Sequence, residues 1–306
     1  MFMGPSRNVA LPGRSLSMTG RSLVWFPLRL TLGIVAMLFA PQLVRAQSND
    51  ALDASAAKRA AEASRELIAQ ADAYQLQLDG PDQRISLTRT AESVLRWSNT
   101  ASGEIYGEVF LWTRDGIPQA LGSFHQWYSP HQHSSNEFHS FSKHPLRALR
   151  DGNLVWAPTV SGVRWQSIGG AAGVGSTATQ RLVQMRAFAR SIQIKKTDRE
   201  GRSSMLRALS QPIYRVPVGE SSDWADGAVF AFVQGTDPEA MLLIRALPNA
   251  GWQFAFARLN SVQLQATRDN HSIWTAEQLQ WSLAKDPSQP YVLVPVDRVT
   301  VDKELK

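Results

Sequence analysis

The sequence predicts an α+β protein built as a tandem duplication of one unit, an N-terminal helix followed by a curved antiparallel β-meander. The first observation is a repeat, because three segments return in the same order at offsets of 119, 120 and 118 residues. The second is a change from helix-like spacing to strict alternation within each copy. The third is the tight-turn chemistry between the predicted strands. The matched segments are 94–97 with 213–216, 107–112 with 227–232, and 145–158 with 262–276.

Each copy is predicted to open with a helix. Residues 51–74 are rich in Ala, Glu, Arg and Leu, which are strong helix formers. In the second copy, residues 177–190 place Leu182, Met185 and Ala189 at helical spacing, so that they mark one apolar face. A stripe of this kind is typical of a helix that packs on a core.

After each helix, apolar residues alternate with polar ones, which predicts strands. The turns contain Asp-Gly or Asp-Asn pairs, as at 151–152 and 269–270, and these suit the positive φ angles of tight hairpins between antiparallel strands. A closing strand at 291–301 contains Pro295, which lacks an N–H and therefore predicts an edge position. The other predicted strands are 93–98, 106–113, 118–129, 136–142, 145–150 and 153–157 in the first copy and 212–217, 226–234, 239–247, 251–259, 262–268 and 271–275 in the second.

The first 46 residues predict a secretory signal peptide. Residues 1–46 contain five arginines and no acidic residue, and an apolar run at 30–41 precedes a small-x-small pattern at 44–46. These features are the positive end, the apolar core and the cleavage site of a signal peptide. The run is shorter than the about 20 residues of a transmembrane helix, and an uncleaved signal anchor is the alternative. Met18 opens a leader of more usual length, so we expect translation to start there.

The remainder divides into two copies and a linker. We expect a first α+β repeat at 47–168, a Gly-rich linker at 169–176, and a second α+β repeat with the closing strand at 177–306. The linker has the composition of a flexible segment, and it lacks the GK[ST] element of a phosphate-binding loop. Each sheet can hide one face by curling around its helix or by facing the sheet of the other copy.

Charge and cysteine content narrow the partners and the compartment. The chain has 32 Lys and Arg residues, and removal of the five in the leader leaves 27 against 26 acidic residues. A nucleic-acid partner is therefore not expected, because such proteins carry a basic surplus. The absence of Cys excludes disulfide scaffolds, cysteine nucleophiles and thiolate metal sites. We expect an exported bacterial protein, periplasmic or extracellular, without a stable membrane span after leader cleavage.

Two segments carry a resemblance to known proteins. They read NEFHSFSKHPLRALRDGNLVWAP at 136–158 and DGAVFAFVQGTDPEAMLLI at 226–244. They resemble a family of secreted proteins of unknown function from planctomycete bacteria, and the resemblance covers residues 92–276. It implies an exported bacterial protein and supplies no activity, ligand or catalytic residue.

Five of the six histidines lie within residues 125–144. Alternate residues of a strand share a face, which would place His131 beside His133. Glu137 and His139 form a second pair of this kind. Two or three imidazoles with a carboxylate form a common zinc or iron site, so the three histidines are candidate metal ligands and the glutamate a candidate ligand or base. The alternative is a solvated polar loop, because the spacing matches no named metal motif.

Aromatic residues give a second set of candidates. Nine tryptophans remain after the leader, and core filling explains most of them. Trp127 and Tyr128 adjoin the His-rich segment without a clear alternation. We therefore expect these two residues to contact a sugar or an apolar ligand.

The sequence favours an exported, non-catalytic binding or interaction protein of the bacterial cell envelope. Two related units side by side leave a groove between them, and the G-x-S-x-G and HExxH signatures are absent. The partner is a small molecule, a glycan or an envelope protein, and no cofactor is required. The alternative is a metal-dependent hydrolase that uses zinc or iron at residues 125–144.

Overall fold

The structure is a computed structural model that describes residues 40–80, 83–99, 102–130, 132–169, 173–217, 223–248 and 250–296. The chain divides into two compact units, Met1–Asp53 and Ala54–Lys306. In the first unit the described residues belong to a helix. The sheets and cavities described below belong to the second unit. The expected start at Met18 and most of the predicted leader lie outside the described residues.

The described elements are three helices and nineteen strands. Helix α1 spans Ala40–Asp72, α2 spans Ala178–Arg190 and α3 spans Trp281–Ala284. The strands before α2 are β1 (Tyr74–Asp79), β2 (Arg84–Ser86), β3 (Thr88–Arg89), β4 (Leu95–Ser98), β5 (Glu104–Arg114), β6 (Ile117–Ser129), β7 (His133–Ser140), β8 (Leu146–Arg150), β9 (Asn153–Trp156) and β10 (Gln166–Ser167). Those after α2 are β11 (Ile192–Thr197), β12 (Ser203–Ala208), β13 (Tyr214–Arg215), β14 (Asp226–Gln234), β15 (Asp237–Leu247), β16 (Gly251–Arg258), β17 (Gln263–Arg268), β18 (His271–Ala276) and β19 (Tyr291–Val296).

Every strand pair that the structure describes is antiparallel, so an α+β class dominated by antiparallel sheet is confirmed. A four-stranded sheet has the order β2-β1-β8-β9. A six-stranded sheet has the order β19-β7-β6-β5-β3, with β4 also paired to β5. A nine-stranded sheet has the order β10-β16-β15-β14-β12-β11-β17-β18, with β13 also paired to β14. Strand β19, which contains Pro295, lies at a sheet edge, where the missing N–H is tolerated.

The start of helix α2 is fixed by a side-chain cap. Thr177 caps α2, because its side chain accepts a hydrogen bond from the Gln180 N–H while the Gln180 side chain accepts one from the Thr177 N–H. This capping box satisfies two of the orphan N–H groups at the helix start. Helix α1 begins at Ala40, eleven residues before the predicted start at 51.

The central hairpins of the two large sheets pair in the same register. Phe110 of β5 pairs with Gly122 of β6, and Phe230 of β14 pairs with Leu242 of β15. In both ladders the register shifts two residues after the phenylalanine. A shift of this kind is a β-bulge, in which one strand carries an extra residue.

The strands that follow the two long helices are also paired alike. Tyr74 of β1 pairs with Arg150 of β8, and Ile192 of β11 pairs with Arg268 of β17. The next hairpin turn in both places contains an aspartate with a φ of 50°, Asp151 or Asp269. Asp tolerates this left-handed region because its short side chain can bond to the local backbone.

Three buried clusters stabilise the second unit as successive layers. The first has α1 and the four-stranded sheet on one side and one face of the six-stranded sheet on the other. The second, called the inter-sheet core below, joins the six-stranded and nine-stranded sheets. The third lies between α2 and the other face of the nine-stranded sheet. Truncation of one fully buried leucine or phenylalanine in such a layer typically costs about 2–5 kcal/mol. Representative members are Leu67 and Phe138 in the first layer, Val109 and Met241 in the second, and Met185 and Phe230 in the third.

Candidate binding site between the sheets

The inner face of the six-stranded sheet becomes polar toward one end. Along β6, Leu121 belongs to the inter-sheet core, and His125 and Trp127 follow on the same face because alternate residues of a strand point the same way. On the neighbouring strand β7, Glu137 pairs with Ser123. The core therefore gives way to polar side chains without leaving the space between the sheets.

The nine-stranded sheet supplies a complementary polar edge through a β-bulge. The ladder between β14 and β15 shifts register between Phe232 and Val233, which leaves Glu239 as an extra residue of β15. Bulges re-aim side chains, and Glu239 is buried, with 4% of its surface exposed. Lys196 of β11 binds its carboxylate and also donates to Gln234 Oε1 at 2.9 Å.

Two adjoining cavities open at this polar edge. The inner cavity has a volume of about 270 Å³ and the outer cavity about 630 Å³. Five residues line both of them, so the two cavities share one wall. The shared residues are His125, Trp127, Glu137, Lys196 and Asn260.

Three carboxyl groups line the inner cavity, and Lys196 is the cation among its described lining residues. Asn99 Nδ2 donates to Asp237 Oδ2 at 3.0 Å. Asn260 Nδ2 donates to Glu239 Oε2 at 2.7 Å. These amides hold the two carboxyl groups of β15 in place. The third carboxyl, Glu137, comes from the opposite sheet.

The carboxyl groups raise one another's affinity for protons. Burial, and then the charges of Asp237 and Glu239, hold the pKa of Glu137 well above its ordinary value, and the Tyr291 hydroxyl and the Lys196 ammonium offset only part of this. Burial and the charge of Glu239 raise the pKa of Asp237 to about 7. Such shifts arise where like charges share a poorly solvated space. The inner cavity therefore has more carboxyl groups than its own cation can neutralise.

Aromatic rings form the remaining walls. Trp97 lies against Gly107, where an added Cβ would be 2.0 Å from the Trp97 ring. The buried Trp97 Nε1 has no hydrogen-bond partner among the described residues. The Trp127 ring stacks on the His133 ring, with centroids 5.0 Å apart and an interplanar angle of 29°.

His125 is a neutral wall of both cavities. Burial lowers the pKa of His125 to about 4, and the nearby His133 contributes to the same shift. Its ring centroid is 5.8 Å from that of Trp97. A neutral imidazole adds no charge to the cavity at neutral pH. It can both donate and accept a hydrogen bond.

The predicted metal ligands are spread along β7. His131 lies outside the described residues. His133, Glu137 and His139 share one face of the strand, but the two histidines are separated by six residues, which corresponds to about 20 Å. Within the described ranges, no group of three or more His, Asp or Glu side chains could hold a metal ion.

His139 has a structural environment. Its Nε2 is 3.0 Å from the Gly162 carbonyl oxygen, and the side chain is 4% exposed. Burial lowers the pKa of His139 to about 4. Its ring neighbours are Phe141 and Tyr291, which lie toward the end of the strand opposite to His133.

The structure places Trp127 and Tyr128 on opposite faces of β6. Trp127 lines both cavities, whereas the Tyr128 hydroxyl is 3.4 Å from Glu66 Oε2 on α1. The Tyr128 ring also contacts Tyr106 edge-on, with centroids 5.9 Å apart. The two candidates therefore do not form one surface, because neighbouring residues of a strand point in opposite directions.

Sequence reasoning missed Lys196, Asp237 and Glu239. The strands predicted at 226–234 and 239–247 leave Asp237 between them, whereas the structure includes Asp237 in β15. An acidic pair at the start of an otherwise apolar strand was the available signal, because carboxylates are seldom buried without a partner.

Among the described lining residues, the site thus combines three carboxyl groups, one ammonium group and two tryptophan rings between two sheets. Among the helices that the structure describes, none is both long enough and apolar enough to cross a membrane.

Comparisons with protein families, with curated proteins and with solved structures found no match for this chain.

Proposed function

We propose that this chain is an exported, non-catalytic binding protein whose inner cavity holds a small organic cation, such as a primary amine. One observation carries the proposal: Glu137, Asp237 and Glu239 face one cavity whose described lining residues include a single cation, Lys196. A bound ammonium group would supply the missing positive charge. It would also offset the repulsion that, after burial, raises the pKa of Glu137 and the pKa of Asp237.

The aromatic walls favour the same class of ligand. Trp97 and Trp127 line the inner cavity, and the face of an indole ring attracts a cation. The outer cavity provides the route to the solvent, because it shares Trp127 and Glu137 with the inner one. Its own lining carries both signs of charge, including Arg199 and Glu200. The selective element is therefore the inner cavity.

A tandem duplication is part of this proposal. The common registers of the central hairpins and of the strands after the long helices support it. The bulge residue Glu239 corresponds at an offset of 120 to Gln119, and Glu137 corresponds at an offset of 118 to Ala255. The carboxyl-rich site would then be a feature acquired at one end of a symmetric pair of sheets.

Export to the periplasm or the extracellular space is also proposed, on the basis of the Arg-rich, apolar leader. N-terminal sequencing of the protein secreted by its native host tests this. A mature terminus at Gln47 in the periplasmic or culture fraction is expected. Recovery of the intact leader in the membrane fraction would favour the signal anchor.

Calorimetric titration with matched probes tests the ligand class. Butylamine, putrescine and glucosamine are compared with butanol, butanediol and glucose, which replace the amine with a hydroxyl. The amines are expected to bind at least tenfold more tightly than their hydroxyl counterparts. Equal binding of glucosamine and glucose would instead identify a glycan site, and amines that bind no better than alcohols would overturn the proposal.

Two variants and one control assign the binding to the inner cavity. Glu137→Gln and Asp237→Asn remove a carboxyl group while preserving its shape, and each should weaken amine binding at least fivefold. Glu200→Gln removes an exposed carboxyl group of the outer cavity and should leave the amine affinity within twofold. Equal losses in all three variants would mean that the outer cavity binds the amine.

A further inference from the structure

We infer that a second site, an apolar cavity beneath α2, binds a medium-chain aliphatic carboxylate. The cavity has a volume of about 240 Å³ and lies between α2 and the nine-stranded sheet. Met185 and Phe188 of the helix line it, together with Ile244 and Trp252 of the sheet and Arg268 at its side. None of these residues lines the inner or the outer cavity, so the inference is independent of the proposed amine site.

One residue that lines the cavity, Ile244, is smaller than its counterpart under α1. In the six-stranded sheet, Phe124 fills this position, and its ring packs edge-on against Tyr74 with centroids 5.6 Å apart. In the nine-stranded sheet, the same register position holds Ile244, and the partner position holds Ile192. Ile244, which lines the cavity, occupies less volume than the phenylalanine at the corresponding position.

Two buried donors in the cavity wall lack an acceptor. Trp252 Nε1 and Arg268 Nε are both inaccessible to solvent, and neither has a hydrogen-bond partner within the described part of the chain. Leaving a buried donor unsatisfied costs about 1–3 kcal/mol. A ligand whose acceptor reaches either nitrogen would satisfy it.

The other polar groups of the wall are already occupied. Gln184 Oε1 accepts from the Gly175 N–H and its Nε2 donates to the Gly173 carbonyl. The Ser191 hydroxyl donates to the Phe188 carbonyl at 2.7 Å. The donors without an acceptor among the described lining residues are therefore Trp252 Nε1 and Arg268 Nε.

The charge at the cavity favours an anionic acceptor. The Arg268 guanidinium lies over the Phe188 ring, with its Cζ 5.0 Å from the ring centroid. Asp269 Oδ2 is 3.6 Å from Arg268 Nε, but that carboxylate is 79% exposed, and exposed pairs of this kind contribute little. A carboxylate on the ligand can accept from Arg268 in the charge-assisted manner that guanidinium groups favour.

The volume of the cavity limits the length of the alkyl chain that it can hold. An engineered cavity of about 150 Å³ with a similar aliphatic and aromatic lining holds one benzene molecule. A cavity of about 240 Å³ therefore suits an alkyl chain on the order of six to eight carbons. The inferred ligand is an octanoate-like molecule with its carboxylate at Arg268 and its chain against Met185 and Ile244.

Titration of the purified protein with octanoate tests this site, with 1-octanol and butyrate as matched probes. Calorimetry gives the affinity, and the indole N–H signal of Trp252, assigned by its loss in Trp252→Phe, gives the location. Octanoate should bind at least tenfold more tightly than octanol or butyrate and should shift that N–H signal. No octanoate binding, equal binding of octanol, or an unshifted Trp252 signal would overturn the inference.

Variants separate a filled cavity from a misfolded one. Ile244→Phe restores the ring found at the corresponding position 124 and should weaken octanoate binding at least tenfold. Arg268→Gln should reduce the preference for octanoate over octanol at least fivefold without depending on the repacking of the core. Val183→Ala, at an exposed position of α2, is the control and should bind as the parent does. Parent-like binding in both Ile244→Phe and Arg268→Gln would contradict the inference.

Discussion

Glu137 and Asp237 face one cavity from opposite sheets, and the charge of Asp237 helps to hold the pKa of Glu137 above its ordinary value. The two residues are a hundred positions apart in the chain and belong to sheets that contact each other through the inter-sheet core. Their proximity is unfavourable for the empty protein when both are ionised, because like charges in a poorly solvated space repel. The first prediction measures that cost.

Asp237→Asn should change how stability depends on pH. The pKa of Asp237 is raised to about 7 in the folded protein, against about 3.9 for an unfolded chain. Between these values the folded state holds a proton that the unfolded state has lost, so the free energy of unfolding falls as pH rises. Asn cannot ionise, so the variant should gain on the order of 2 kcal/mol relative to the parent between pH 4.5 and pH 8.

Urea unfolding at several pH values measures this difference. Asp115→Asn is the control, because Asp115 is an exposed turn residue at a φ of 53°, a conformation that Asn also tolerates. A parent–variant difference that stays constant from pH 4.5 to pH 8 for Asp237→Asn would be inconsistent with the raised pKa.

His139→Gln should have the opposite pH signature. The pKa of His139 is lowered to about 4 by burial, whereas the unfolded value is about 6.5. Below pH 6.5 the unfolded state binds a proton that the folded state excludes, so the parent loses stability as pH falls. Gln can still donate to the Gly162 carbonyl, and the variant should gain about 2 kcal/mol relative to the parent between pH 7.5 and pH 5.

Chemical denaturation at these two pH values checks the sign. His271→Gln is the matched control, since His271 is an exposed turn-flanking residue of β18. If His139→Gln and His271→Gln gave the same pH dependence, burial of the imidazole would not be the cause.

Gly107→Ala should distort the wall of the inner cavity. An added Cβ would be 2.0 Å from the Trp97 ring, and that ring is buried between the sheets. Overpacking of this kind costs about 1–3 kcal/mol, and displacement of Trp97 should also weaken amine binding. Gly169→Ala is the comparison, because no atom of the described residues beyond its chain neighbours lies within 4 Å of the added methyl group there. Thermal unfolding of the two variants should differ accordingly, and equal melting temperatures would contradict the packing described.

Asp226→Asn should destabilise the unit strongly. Asp226 is fully buried at the start of β14, where its Oδ2 is 2.6 Å from Arg181 Nε and 2.5 Å from Arg215 Nη2. Removing one partner of a buried ionic network leaves uncompensated charge and costs about 3–5 kcal/mol. Glu62→Gln removes an exposed i,i+4 pair with Lys58 and should cost under about 0.5 kcal/mol. Urea unfolding at pH 7 compares them, and a loss below 1 kcal/mol for Asp226→Asn would be evidence against the network.

The sequence predicted the strands better than the site. Alternation and Asp-containing turns are local signals, and the strand predicted at 226–234 coincides with β14 (Asp226–Gln234). The site depends on a bulge at Glu239 and on which sheets stack. Neither is encoded in a local pattern, because each is decided by how distant strands pair and pack.

The histidine segment illustrates the same limit. Glu137 and His139, predicted as one side-by-side pair, share a face of β7 with His133, but a shared face does not bring side chains together along a strand. Among the described residues, these side chains do not meet at one metal site. The cation that lines the inner cavity, Lys196, comes from β11 of the other sheet. The sequence does not show which charged residues face one another across the sheets, because that depends on how the sheets stack.

Proton release during amine binding tests the central claim most directly. Putrescine is titrated calorimetrically into the purified protein at pH 7 in two buffers of different ionisation enthalpy. An ammonium bound beside Asp237 and Glu137 lowers the pKa of both groups, so binding should release on the order of half a proton or more. That release should fall in Asp237→Asn. Binding without proton release, or no binding of any amine probe, would contradict the account.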